Sequence, residues 1–205
     1  MGSEMCIRDR VLGMAMNILG NGLSDPNRER EALSVREAEL AMRRRRGDPE
    51  HVILIMQGNI ANSYQNIGRF EDALRLKRDV YFGELKLYRE ENEHTLAAAN
   101  NYASTLKHLD RHKEVKSLLR RLIPVAHNLL GESDRLTLKL RWIYAQSLYK
   151  DDGATLADLR EAMRTLEEIG RTTRRVFGGE HPFTVEVEDS LQNARAALRA
   201  REHCD

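Results

Sequence analysis

The feature that most constrains this chain is a repeat of 42 residues. Asn59-Ile-Ala-Asn-Ser-Tyr64, Asn101-Tyr-Ala-Ser-Thr-Leu106 and Ile143-Tyr-Ala-Gln-Ser-Leu148 align with their central alanines, Ala61, Ala103 and Ala145, 42 residues apart. Seven positions later come Gly68, Asp110 and Asp152, and Thr95-Leu96 and Thr137-Leu138 keep the same interval. Asn17-Ile18 lies 42 residues before Asn59-Ile60, so a degraded first unit is expected. His181-Pro-Phe-Thr184 opens a last unit 47 residues after Thr137. A fixed period of this size marks a chain built of stacked supersecondary units, each too small to bury its apolar face alone.

Each unit reads as two helices. Ile60, Ala61, Tyr64 and Ile67 form one apolar stripe at helical spacing, repeated by Tyr102, Ala103, Leu106 and Leu109 and by Tyr144, Ala145 and Leu148. After a turn at Ile67-Gly68-Arg69, a second helix carries Phe70, Ala73, Leu76, Val80 and Leu87, and its counterpart Val115, Leu118, Leu119, Leu122 and Val125. Asp25-Pro26 and Asp48-Pro49 offer capping carboxylates before first-turn prolines, and Gly47, Gly131 and Gly178 suit helix C-termini. Pro124 falls inside a second helix and should kink it. Gly58 and Gly83, at helical positions, either allow close helix contact or are merely tolerated. A last helix from about Pro182 to Glu202 carries Val185, Val187, Leu191, Ala194 and Leu198.

The Ala61-to-Ala73 string, with Gly68-Arg-Phe-Glu-Asp-Ala73, resembles tetratricopeptide repeats of the kinesin-light-chain type. His94-Thr-Leu96, Asn100-Asn-Tyr-Ala103 and His181-Pro-Phe-Thr184 fit the same pattern. The basic tetratricopeptide unit has about 34 residues, and longer helices stretch this type to 42. The resemblance implies an all-α fold, a right-handed solenoid of antiparallel helix pairs. The expected units are about 11–47, 48–91, 92–131 and 132–179, then a terminal helix at 180–202, forming one array. Two stretches depart from the pattern. Gly20, Gly22 and Leu23 stand where unit one should pack, and Asp152-Gly153-Ala154 with five extra residues predicts a longer or shifted second helix in unit four.

Residues 2–10, Gly-Ser-Glu-Met-Cys-Ile-Arg-Asp-Arg, read as the translation of a transposase-type sequencing adapter. On that reading Met1 to Arg10 is non-native, Cys6 carries no information, and the native chain continues upstream of Val11.

The composition excludes several function classes. Thirty-three basic against thirty-two acidic residues leave a net charge of +1, so the chain is no global polycation for nucleic acid. No apolar run is long enough to span a membrane. Two cysteines, Cys6 and Cys204, make neither a disulfide framework nor a zinc cluster, and a cytoplasmic location is expected. Phosphate loops, dinucleotide fingerprints and nucleophile turns are missing, so no catalytic residue, cofactor or metal is expected. His108 and His112 are placed across a turn rather than on one helix, and the Arg43-Arg44-Arg45-Arg46 run suits a helix C-terminus.

The face of each first helix opposite its packing stripe is the candidate site. It carries Ile55, Gly58, Asn62, Gln65 and Asn66, then Ala97, Asn100, Ser104, Lys107 and His108, then Lys139, Trp142, Gln146, Tyr149 and Lys150. In tetratricopeptide arrays this face lines a concave peptide groove. Here amides can pair with an extended backbone, lysines can meet carboxylates, and Trp142 and Tyr149 can anchor apolar groups. Trp142 equally suits packing between units, and Asn100 or Asn101 could tie adjacent helices together. Kinesin light chains bind cargo-adaptor peptides rich in aromatic and acidic residues, so the resemblance implies a non-catalytic scaffold whose partner is a protein or peptide. The alternatives are the regulatory repeat region of an enzyme whose catalytic domain lies upstream and, last, an RNA-binding helical repeat. Oligomeric state is left open.

Overall fold

A computed structural model of the chain describes residues 26–202, and side chains from Glu29 onward. The adapter-like segment, Cys6, Asn17-Ile18, Gly20, Gly22, Leu23, the Asp25 cap and Cys204 lie outside the described residues. The described chain is all helix and turn. Its eight helices are α1 (Pro26–Arg46), α2 (Glu50–Asn66), α3 (Phe70–Tyr88), α4 (Glu93–His108), α5 (His112–Leu130), α6 (Arg135–Lys150), α7 (Leu156–Phe177) and α8 (Pro182–Glu202). The chain divides into two compact units, one ending at Leu87 and the other beginning at Tyr88.

In the second unit, α6 packs against both α5 and α7, and also lies beside α4 and α8. First helices therefore neighbour first helices, with second helices on the other side. The repeated alanines explain the closeness: Ala103 and Ala145 are fully buried, as is Ala61 in the first unit. Leu138, Ala145, Leu166, Ile169, Phe183, Val187 and Ala194 form the core here, flanked by Trp142, Tyr149, Phe177 and Leu191. In the first unit Leu33, Leu40, Ile53, Met56 and Ile60 pack α1 on α2, with Tyr64, Ile67 and Leu76 at the edge.

Turn chemistry sets the breaks. Gly68 and Asp110, 42 residues apart in sequence, both take left-handed backbone (φ 79 and 54), which glycine adopts freely and aspartate tolerates. Asn92 caps α4 through the amide of His94, and Asp134 caps α6 through the amides of Leu136 and Thr137. Thr155 and Asp158 form a reciprocal capping box on α7. Helix α7 has 22 residues against 19 in α3 and α5, in line with the longer helix expected there. Helix α5 runs unbroken through Pro124 from His112 to Leu130.

Three local expectations are corrected. Asp48 does not cap α2: Pro49 holds that position without a side-chain bond, because the Asp48 carboxylate is taken by Arg43 and Arg46. Leu87 is 42% exposed, and Leu74 and Tyr81 fill the α3 core instead. Val185, expected on the packing stripe of α8, is 45% exposed. The two helical glycines differ: a Cβ at Gly83 would meet Leu54 Cδ2 at 2.5 Å, whereas one at Gly58 would meet nothing within 4 Å.

Candidate functional site

Four of the eight expected site residues of the second unit, Lys107, Trp142, Gln146 and Tyr149, converge on one network built by α4, α6 and α8. The repeat register places Lys107 near the end of α4, and Trp142, Gln146 and Tyr149 one helical turn apart along α6. Lys107 Nζ donates to Gln146 Oε1 at 2.6 Å and stands 5.0 Å above the Trp142 ring centroid. Gln146 Nε2 and Trp142 Nε1 both donate to Ser190 Oγ, at 3.0 and 2.9 Å. Ser190 Oγ donates to the Glu186 carbonyl oxygen at 2.8 Å, so the hydroxyl donates once and accepts twice. The Trp142 indole meets Phe183 edge-on with centroids 5.6 Å apart. The Tyr149 hydroxyl lies beside the side chains of Ser190 and Asn193.

The electrostatics follow from burial. Lys107 is half-buried, and loss of hydration lowers its pKa below the ordinary lysine value; nearby Lys150 adds to this and Glu186 opposes it. The Tyr149 phenol is pushed up, chiefly by burial. Lys107 thus carries a poorly hydrated positive charge matched by an amide oxygen and an aromatic face.

The remaining expected residues sit apart from this network. Lys150 and His108 are exposed, Ser104 is half-buried, and the His108 ring lies 3.3 Å from the Ser104 carbonyl oxygen on its own helix. Asn100 is half-buried, with an Oδ1 closed off from solvent and without a hydrogen bond among the described residues. In the first unit Asn62 and Asn66 are exposed on α2, and Gln65 accepts from Lys77 Nζ at 2.5 Å. Lys77, on α3, is buried, and desolvation lowers its pKa to about 8.

Ser190 and Lys77 are the residues that sequence reasoning misses. Ser190 belongs to the unit displaced by 47 residues, so the 42-residue register never aligns it with α6. Its signal was a hydroxyl standing among Val187, Leu191 and Ala194. Lys77 lies on a second helix, outside the first-helix face.

The other sequence features have plain surroundings. His112 opens α5, buried, with Nε2 3.6 Å from Asp110 Oδ1, while His108 closes α4. Among the described residues no three His, Cys, Asp or Glu side chains gather as a metal site would require. No described helix is long and apolar enough to cross a membrane. Arg43 to Arg46 occupy the last turn of α1, where Arg43 pairs with Glu39 and Asp48, and Arg46 with Asp48.

No family model matches the chain, and no curated protein does. Solved structures do. A crystal structure of a Podosopora anserina protein described as a kinesin light chain with nearly identical TPR-like repeats, in a form carrying one substitution, superposes with a TM-score of 0.76 at 20% identity, over 95% of this chain and 89% of that one. The form without that substitution gives 0.74 at 21% identity, over 95% and 90%. BtubC (BKLC) from P. vanneervenii gives 0.71 at 15% identity, over 96% and 81%. The fold is that of TPR-like repeats. Structures this distant in sequence share the fold, and on it the first helices α4, α6 and α8 present the Lys107–Trp142–Ser190 network on one face.

Proposed function

We propose that the chain is a non-catalytic interaction scaffold that holds a peptide segment of a partner protein along the first-helix face. The observation that carries this reading is the composition of that face in the second unit. Three adjacent first helices bring a poorly hydrated lysine, two aromatic rings and several amide groups to one surface, flanked by exposed Lys150 and His108. An extended peptide offers the complementary groups: backbone donors and acceptors for amides, carboxylates for Lys107 and Lys150, and apolar side chains for the edges of Trp142 and Tyr149. The kinship in fold with kinesin light chain repeats supports the same reading. The repeat boundaries and the cytosolic location expected from the sequence belong to this proposal.

Within the network Trp142 and Gln146 act as a preorganised floor, since their polar atoms are already engaged with Ser190. Contact with a ligand falls to Lys107, Lys150, His108 and the ring edges of Trp142 and Tyr149. The test is selection of twelve-residue peptides from a random displayed library on the wild-type chain, followed by titration against Lys150→Glu and His108→Glu. The reading expects enriched peptides that lose about ten-fold in affinity on Lys150→Glu, with an unchanged circular dichroism spectrum. Enriched peptides indifferent to both substitutions would place binding elsewhere.

A further inference from the structure

The opposite side of the second unit carries a second feature that the groove reading does not use. Helix α5 contains one carboxylate, Glu114, which pairs with Arg111 at 2.5 Å. Against it stand Lys113, Lys116, Arg120 and Arg121, whereas α3 balances four cations with four acids and α7 sets five against four. The four α5 cations and Ser117 line one wall of a cleft of about 530 Å³, with Asp158 of α7 on the other. Of the four lining cations, Asp151 and Glu90 offset Lys116 and Arg121, which leaves Lys113 and Arg120 against Asp158.

The cations are not equally engaged. Lys116 pairs with Asp151 at 2.7 Å and Arg121 with Glu90 at 2.6 Å. Lys113 has no ion pair among the described residues. Arg120 spends its guanidinium on a neutral partner, the Tyr144 hydroxyl, at 3.2 and 3.3 Å, and that hydroxyl donates to Glu161 at 2.9 Å. Asp158 is tied into the Thr155 capping box.

We propose that the α5–α7 cleft is a docking surface for a short acidic peptide segment of a partner protein, with Lys113 and Arg120 as its principal carboxylate receptors. The span from Lys113 to Arg121 covers about 12 Å of helix, the length of about four extended residues. That is more than a single inorganic anion can bridge. A continuous phosphate backbone fits poorly for a separate reason: Asp158 within the cleft and Glu90 and Glu161 beside it repel a chain carrying a charge at every step. Carboxylates spaced along a peptide can meet Lys113 and Arg120 while avoiding those acids. This surface lies on second helices, so its fate is independent of the first-helix groove.

The experiment is fluorescence anisotropy with a fluorescein-labelled dodecapeptide carrying glutamate at every third position and serine between, at low and near-physiological salt. The expected result is saturable binding that weakens with salt and falls at least about ten-fold in Lys113→Glu/Arg120→Glu. The milder Lys113→Gln/Arg120→Gln should lose affinity in the same direction, which keeps the test valid if charge reversal disturbs the circular dichroism spectrum. Arg135→Glu, at the opposite end of α6, should change nothing. The proposal is overturned by lack of binding at millimolar peptide, by indifference to both double substitutions, or by loss on Arg135→Glu alone. Tighter binding of a twelve-nucleotide RNA, or complete competition by millimolar inorganic phosphate, would also overturn it.

Discussion

Lys107 of α4 places its ammonium 5.0 Å above the centroid of the Trp142 ring on α6. The same nitrogen bonds Gln146, so one lysine joins two neighbouring first helices through an amide and an aromatic face. Trp142 reaches onward to Ser190 and Phe183 on α8. This residue is therefore part of the inter-helix packing as well as of the candidate face.

Replacing Trp142 with alanine removes the edge-on Phe183 contact, the Ser190 bond and the ring beneath Lys107 together. A loss of about 2–4 kcal/mol is expected in urea unfolding followed by circular dichroism, somewhat below a fully buried tryptophan. Trp142→Phe keeps most of the packing and should cost about 1 kcal/mol. Equal and negligible losses for both would show that the ring is not wedged between α6 and α8.

Ser190→Ala removes about the volume of one oxygen but strands two donors, Trp142 Nε1 and Gln146 Nε2. The expected loss is about 1–3 kcal/mol, large for so small a change in an exposed-looking helix. Ser190→Thr keeps the hydroxyl and should recover much of it. A neutral Ser190→Ala would mean that the two donors find other acceptors.

Lys77 gives a pH signature. Burial lowers its pKa from the ordinary 10.5 to about 8 in the folded chain, while the unfolded chain keeps the higher value. Between those two values the unfolded state binds the extra proton, so stability from this group rises with pH across the window. Below pH 8 both states are protonated and the burial penalty is fully present. In Lys77→Met that slope should vanish, with the variant relatively more stable at pH 7 than at pH 10. Parallel pH profiles for wild type and variant would contradict the burial of a charged Lys77.

The two helical glycines make a matched pair. Gly58→Ala enters open space and should gain about 0.5–1 kcal/mol from helix propensity. Gly83→Ala gains the same propensity but drives a methyl into Leu54, itself 3% exposed, and should lose about 1–2 kcal/mol overall. Equal gains at both positions would show that α2 and α3 pack more loosely than the structure has them.

The sequence made the fold readable because one period repeats the same packing. Ala61, Ala103 and Ala145 are fully buried in each copy, so a single stripe predicted three helices at once. Half of the second-unit network was readable for the same reason, since Lys107, Trp142 and Gln146 follow the repeat. Ser190 was not, because the extra residues in the fourth unit break the register just where α8 supplies the shared hydroxyl. The cap of α2 was misread because capping propensity takes no account of competitors: two arginines of α1 claim the Asp48 carboxylate. Leu87 and Val185 satisfy helical periodicity and yet face solvent, since periodicity marks a stripe without saying where the covering helix ends.

The most direct test of the scaffold reading is amide chemical-shift mapping on the isotope-labelled chain with a peptide enriched by library selection. The account predicts shifts concentrated at Ser104 to His108, Gln146 to Lys150 and around Asn193, the turns of α4, α6 and α8 that carry the candidate face. Shifts confined to the second helices α3, α5 and α7, with that face silent, would contradict it.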